Sequence, residues 1–404
     1  MFRKLRSTAS QSCLDENRNR SSVRTSSGDG GPASGERDFP MVRIFTAPNR
    51  YIQGYGILEN IGKYVSHLGR HFFILGGKSA LSSIREAVSK SMTANSMTCH
   101  FAVFSGKGTR SDANAMAKKA ADFGADVIVG AGGGLALDTA KAVAYEMDLP
   151  LVMVPTIAST DAPCSAEALQ YTEEHQFDRE LKLKRNPDVI LVDSKIIAEA
   201  PTRFFVAGMG DALSTWFEAS TCLKSGAENF SGGVATAAGL SIARLAYDTL
   251  LDYGLAAKLA VDQNVVTPAV ERVIEANTLL SSIGFENCGI GAAHSISVGI
   301  GALEGAENCL HGELVGFGTL VNLVLENYPK DEVDKVFGFC SAVGLPIVLE
   351  QLGVKDASPA RLMKAAEIAL GKGSFMQNLS FEASPRLVVD SIIGANALGK
   401  SFRP

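Results

Sequence analysis

The sequence predicts an α/β domain built on parallel strands, followed by an all-α domain. Three observations predict it. Between Val42 and about residue 200, short apolar runs alternate with stretches of helical apolar spacing, the pattern of strands joined by crossover helices. One of those runs leads into the three glycines Gly132, Gly133 and Gly134 and then directly into a helical stretch. Beyond Asp193 the strand signals fade, and helical spacing persists toward the C-terminus.

The composition bounds the class. At 404 residues, 46% hydrophobic and 20% charged, the chain suits two or three globular domains with a large core. A formal net charge of −5 without a basic block argues against nucleic acid or an anionic membrane as partner. No uninterrupted apolar run reaches the ~20 residues that a membrane helix needs. Seven cysteines lie scattered with no CxxC pair, which fits a reducing, cytoplasmic setting rather than a disulfide framework. Residues 1–40 are rich in Ser, Arg and Gly and lack apolar periodicity, so they read as a disordered tail. Arg3, Lys4 and Arg6 precede any acid, a faint likeness to a mitochondrial transit peptide that Asp15, Glu16 and Asp29 weaken.

In order, Phe72–Leu75 is an apolar strand closed by Gly76-Gly77, and Ala80–Met92 is a helix. Cys99–Phe104 reads as a strand and Ser111–Phe123 as a helix capped by Ser111 or Asp112. Asp126–Gly130 is a strand, and after the glycines a helix runs from Ala136 to about Tyr145. Leu151–Val154 is a buried strand ended by Pro155. Ala168–Thr172 and Asp188–Asp193 are strands joined by a charged hairpin-like connection carrying Lys182, Lys184 and Arg185.

The turn GAGGGLALDTAK, Gly130–Lys141, is the strongest signal in this half. Glycines between a strand and a helix free backbone N–H groups to point at an anion, and the helix N-terminus adds its positive dipole. The spacing is neither GxGxxG nor a P-loop. Asp138 and Thr139 in the first turn either favour the dipole or contact a cofactor. Next comes PTIASTDAPCS, Pro155–Ser165, at the carboxyl edge of the sheet where open α/β sheets bind ligands. It offers the hydroxyls of Thr156, Ser159, Thr160 and Ser165 and the carboxylate of Asp161, either as a site or as a solvated turn.

Past a boundary near Ala200-Pro201, helical spacing covers 202–224, 230–251, 268–283, 311–326 and 331–343. Two of only six histidines, His294 and His311, fall here, seventeen positions apart. They therefore cannot form a one-turn pair on a single helix and meet only if two helices face each other. Asp211 lies in an apolar helical stretch with Phe204, Phe205, Leu213, Trp216 and Phe217. Either it caps a helix after Gly210, or it is a buried acid compensated by a metal, the third ligand beside His294 and His311. A catalytic divalent site needs about three protein ligands and an open position.

Several stretches, in order and at sensible spacing, carry a resemblance: GAGGGLALDTAKA, PTIASTDAPCSA, NPDVILVDSKIIAEAP, GMGDALSTWFEA, TPAVERVIEANTLLSSIGFE, GAAHSI and LHGELVGFGTL. The chain resembles the glycerol dehydrogenase branch of the iron-containing (group III) alcohol dehydrogenases, from about Ile44 to the helical C-terminus. The resemblance implies the dehydroquinate synthase-like, group III alcohol dehydrogenase fold. That is a Rossmann-like nucleotide-binding domain over residues 41–200, a helical metal-binding domain over 201–404, and an active site in the cleft between them. It implies a divalent metal, zinc or else Fe2+, on Asp211, His294 and His311. It implies NAD along Gly133, Gly134 and Asp138, with Thr156, Ser159, Ser165 and Tyr171 around it, and a substrate contact at Asp161. It also implies a homo-oligomer acting on a small polyol, glycerol or another vicinal diol, or on the ketone in reverse. The residue types suit that chemistry, because a divalent cation makes a hydroxyl easier to deprotonate and the nicotinamide takes the hydride.

Three positions depart from the branch. Leu135 stands where a lysine usually follows the glycines, and Ser297 where a second histidine often lies. Gly76-Gly77-Lys78-Ser79 lacks the acid that selects NAD through its ribose, so NADP is an expected alternative. Leu135 and Ser297 keep open a 2-hydroxy acid or sugar-derived ketone as substrate. A phosphate-binding cyclising lyase would need several Lys or Arg near the three ligands, and the surrounding stretches hold almost none.

Overall fold

The structure is a computed structural model that describes residues 42–174 and 176–402. The expectations for the first forty residues, disordered tail or transit peptide, lie outside the described residues. The strands in chain order are β1 (Arg50–Gly54), β2 (His71–Gly76), β3 (Thr98–Val103), β4 (Val127–Gly132), β5 (Leu151–Pro155), β6 (Glu167–Tyr171), β7 (Phe177–Lys182) and β8 (Val189–Asp193). Six form one all-parallel sheet in the order β1-β8-β5-β4-β2-β3. β6 and β7 form a separate antiparallel ribbon.

Side-chain alternation divides the sheet into two faces. Phe72, Ile74, Val127, Val129, Val152, Val154, Val189 and Leu191 pack beneath the helix Lys78–Ala94 with Leu81, Ile84 and Val88. Phe73, Leu75, Ile128, Met153, Ile190 and Val192 face the other way, into a core that continues through Phe205, Phe217, Phe317 and Ile392 of the helical half. Strands covered on both faces read as continuous apolar runs, which is why β4, β5 and β8 were legible as strands.

The connection after β2 leads outward to β3, whereas that after β4 leads the opposite way to β5. The carboxyl ends of adjacent β2 and β4 therefore flank a topological switch point, where such sheets open a crevice. The glycine turn lies there. Gly132 has φ 146°, a conformation that only glycine adopts readily. Gly133 precedes the helix Gly134–Met147 with no side-chain cap. The helix starts two residues earlier than its apolar pattern indicates, because glycine has poor helix propensity and gives no start signal.

Other elements also differ from the sequence reading. Thr109, not Ser111 or Asp112, caps the helix Arg110–Phe123, its side chain accepting from the Asp112 N–H. The charged connection after β6 contains the strand β7, whose largely exposed FDRELK has no apolar alternation to read. The helix expected over 230–251 runs instead over Ala237–Val261, capped by Thr236, since Gly232 at φ 80° and Gly233 hold the preceding segment in a turn.

The longer helices beyond β8 are, besides Ala237–Val261, Thr202–Ser225, a continuous rod from Pro268 to Cys288 with a π turn at Ala276–Leu280, Ala292–Gly301, His311–Leu325, Lys330–Val343, Pro359–Ala369 and Pro385–Ser401. Among the described residues no helix is long and apolar enough to cross a membrane.

Candidate metal centre and cofactor crevice

Asp211 sits in the middle of the helix Thr202–Ser225 and is 1% exposed. It is not a cap, so the choice left open by the sequence falls to the buried acid. Its neighbours explain how a carboxylate in an apolar helix acquires partners. A Cβ on Gly208 would lie 1.9 Å from the Ala158 carbonyl oxygen, and one on Gly210 would lie 2.1 Å from that of Gly312. The missing side chains let the Pro155–Ser165 loop and the start of the helix His311–Leu325 press against the Asp211 helix.

His294 lies in the first turn of Ala292–Gly301, and His311 opens His311–Leu325. Their Nε2 atoms approach Asp211 Oδ1 to 3.6 and 3.3 Å, and the rings are 5.5 Å apart. One ligand atom from each of the three residues lies within 4.8 Å of the others. Asp211 Oδ1 is buried and has no hydrogen-bond partner among the described residues, a costly arrangement for an acid unless a cation completes it. Burial alone would raise the Asp211 carboxyl; His311 and then His294 overcome this and hold it well below the usual carboxylate range. The donor set of one carboxylate and two imidazoles suits zinc or ferrous iron.

Glu218, two turns beyond Asp211 on the same helix, is 1% exposed. Its Oε1 accepts from the N–H groups of Gly291 and His294 at 2.9 and 3.0 Å, and its Oε2 lies 2.7 Å from His294 Nδ1. Sequence reasoning missed it. Its spacing of seven from Asp211, on the same helix face, was the available signal.

Asp161 stands on the facing loop. Its N–H donates to Asp211 Oδ2 at 3.2 Å, its Oδ2 accepts from Ser281 at 2.8 Å, and its carbonyl accepts from Ser282. Burial, with a smaller push from Asp211, raises its carboxyl to about 7. The π turn helps to place this polar row along the Pro268–Cys288 rod. Asn277 donates to the Ala158 carbonyl, and the Thr278 carbonyl accepts from Cys164.

The residues that the sequence suggests for a nucleotide do not all gather in one place. Gly133, Gly134, Thr156 and Ser159 gather at the ends of β4 and β5, with the Thr156 N–H donating to the Gly132 carbonyl. Asp138 and Ser165 instead belong to a buried lysine. Lys141, fully buried, donates to the carbonyls of Ala162 and Glu167 and to Ser165 Oγ at 2.7, 2.5 and 2.9 Å, and lies 3.6 Å from Asp138. Asp138 Oδ2 also accepts from the Leu169 N–H. Tyr171 closes β6, its N–H donating to the Gly108 carbonyl, and burial raises its phenol to about 12. Leu135 is exposed on the same side, its side chain against Gly108.

A parallel sheet with a glycine turn at its switch point, joined to a helical half that presents an Asp-His-His cluster, defines a nucleotide-linked metalloenzyme class. The profile of the family "Iron-containing alcohol dehydrogenase" matches residues 48–194. A glycerol dehydrogenase of Escherichia coli O6:H1 is 44% identical over 362 residues, covering 90% of this chain and 99% of that protein. A probable glycerol dehydrogenase of Sinorhizobium meliloti 1021 superposes with a TM-score of 0.84 at 42% identity, covering 89% of this chain and 100% of that one. Glycerol dehydrogenase of Schizosaccharomyces pombe gives a TM-score of 0.87 at 36% identity, covering 90% and 92%. The chain belongs to the glycerol dehydrogenase branch of the iron-containing alcohol dehydrogenase family, and it is an oxidoreductase.

Proposed function

We propose that this enzyme oxidises glycerol or a related vicinal diol with NAD, and reduces dihydroxyacetone in reverse, using a divalent cation held by Asp211, His294 and His311. The observation that carries this is the buried, partnerless Asp211 Oδ1 facing two imidazole Nε2 atoms, with Asp161 on the opposite wall. Bound there, zinc or ferrous iron would lower the cost of deprotonating a hydroxyl. Asp161, fixed through Ser281, Ser282 and the Asp211 carboxylate, presents a carboxyl to a neighbouring hydroxyl and so favours diols over simple alcohols. The N–H groups at Gly133 and Gly134 would hold the cofactor pyrophosphate, with Thr156, Ser159 and Tyr171 around it and Asp138 and Ser165 acting through the buried Lys141. The groups bonded to Asp161, Asp211 and His294 are hydroxyls, backbone amides and Glu218, with no lysine or arginine among them. A carboxylate substrate would lack a counter-charge there, which disfavours a 2-hydroxy acid.

The test is metal analysis coupled to a panel of polyols, 2-hydroxy acids and ketones. The expected result is one divalent ion per chain and highest kcat/KM on a vicinal diol. A metal-free active enzyme, or a preference for 2-hydroxy acids, would reject the reading.

NADP also fits. The helix Lys78–Ala94 has no acid in its first turn, and nothing lies within 4 Å of where a Gly77 Cβ would stand, so a ribose 2′-phosphate would find room beside Lys78. Parallel saturation series with NADH and NADPH decide this, and a large preference for NADH rejects it. The reading places the enzyme in the cytoplasm, in keeping with six free cysteines among the described residues. It also makes the enzyme a homo-oligomer, supported by Leu245, Leu255 and Leu259 left exposed on the helix Ala237–Val261. Cell fractionation and light scattering test these two points.

A further inference from the structure

The reaction needs His294 in one tautomer, and the structure assigns Glu218 to select it. We propose that Glu218 is a positioning residue that fixes His294 as the Nδ1–H form, leaving Nε2 with its lone pair aimed at the cation site. This deepens the metal reading above and rests on it.

Three bonds carry the argument. Glu218 Oε1 already accepts two backbone N–H groups, from Gly291 and His294. These fix the carboxylate plane and tie it to the first turn of the helix that bears His294. Oε2 then lies 2.7 Å from Nδ1. A carboxylate only accepts, so Nδ1 must donate. The proton is thereby placed on the nitrogen away from Asp211, and Nε2, 3.6 Å from Asp211 Oδ1, is the free ligand atom. Such carboxylate–imidazole pairs set ring orientation and raise the basicity of the ligating nitrogen.

The geometry also constrains the helices. Asp211 and Glu218 ride on one rigid helix, so Glu218 locks His294 at a set distance from the Asp211 carboxylate. Among the described residues His311 has no such carboxylate behind its ring, and its side chain is 48% exposed. The two imidazoles are thus unequal. His294 is preset by Glu218, and His311 is free to adjust as it meets the ion.

Glu218→Gln separates this role from ordinary packing. The amide keeps the shape and one acceptor oxygen for the two backbone N–H groups. Its NH2 then faces Nδ1 and donates, which shifts the imidazole proton to Nε2 and occupies the ligand lone pair. The full-length chain is stripped with chelator and titrated with zinc, and unfolding temperature is followed with and without zinc. The expected result is a zinc dissociation constant weakened by about 10- to 100-fold, with the metal-free unfolding temperature close to wild type and most of the zinc-induced increment lost. Glu218→Asp, which restores two acceptor oxygens on a shorter stem, should recover part of the affinity. Wild-type zinc affinity in Glu218→Gln overturns the proposal. So does an equal drop in unfolding temperature with and without zinc, which marks a purely structural carboxylate. A wild-type chain that takes up no zinc or ferrous iron instead overturns the metal reading itself.

Discussion

Gly312 stands so close to Ala207 that a Cβ at position 312 would lie 1.8 Å from the Ala207 carbonyl oxygen. This contact holds the start of the His311 helix against the Asp211 helix and brings His311 Nε2 to 3.3 Å from Asp211 Oδ1. Gly312→Ala must push the two helices apart. Overpacking of this kind costs about 1–3 kcal/mol, and it moves one candidate ligand. Zinc affinity and unfolding temperature should both fall. A variant that keeps both would show that the approach is looser than described.

Asp211→Asn keeps the side-chain shape and removes the charge that two imidazoles face. The chain should still fold, hold no zinc after gel filtration, and lose activity by more than the about 10- to 100-fold expected for losing an orienting partner. Metal content and kcat/KM measured on one preparation check it.

Zinc should stabilise the whole chain, because the three candidate ligands come from three separate helices that the ion would tie together. At a free concentration of about 100 times the dissociation constant, linkage gives about 2.7 kcal/mol. Calorimetry of chelated and reloaded protein measures the gain; an unchanged transition would mean that the three residues do not bind together.

Lys141 is a buried cation whose three acceptors hold the Ala162–Glu167 segment. Lys141→Met leaves those groups and Asp138 without their partner. Removing one side of a buried charged network costs about 3–5 kcal/mol. The urea midpoint should drop and KM for the cofactor should rise, since the loop carrying Asp161 loses its anchor. A pure stability loss, with KM unchanged, would separate Lys141 from the crevice.

Glu167 titrates in an unusual range. Burial, then the nearby Glu180, raises its carboxyl to about 9, and its Oε1 has no hydrogen-bond partner. Between about pH 5 and pH 9 the unfolded chain has released this proton while the folded chain keeps it, so stability falls as pH rises through that window. Below the unfolded value the contribution is fully present. Glu167→Gln should therefore raise the urea midpoint at pH 8 and change little at pH 4.5, flattening the profile. Parallel denaturation curves at the two pH values measure it.

The apolar runs of β4, β5 and β8, the glycine turn after β4 and helices such as Thr202–Ser225 and His311–Leu325 were written in local pattern, because strands buried on both faces and helices with one buried stripe impose a short period on the chain. The candidate ligands Asp211, His294 and His311 stood out by residue type in apolar or small-residue surroundings. Glu218 and Lys141 did not, since a lone acid or base in a helix has the same local signature on a surface as in a core.

By itself, then, the sequence determined most of the parallel strands, several of the helices and the residue chemistry available to the site. Which groups meet was decided only by the tertiary structure. Gly208, Gly210 and Gly312 permit backbone contacts that bring Asp161, Asp211 and His311 to one place, and Glu218 reaches His294 across a gap of 76 residues. No periodicity along the chain encodes such separations, because they follow from how helices pack rather than from how each one forms.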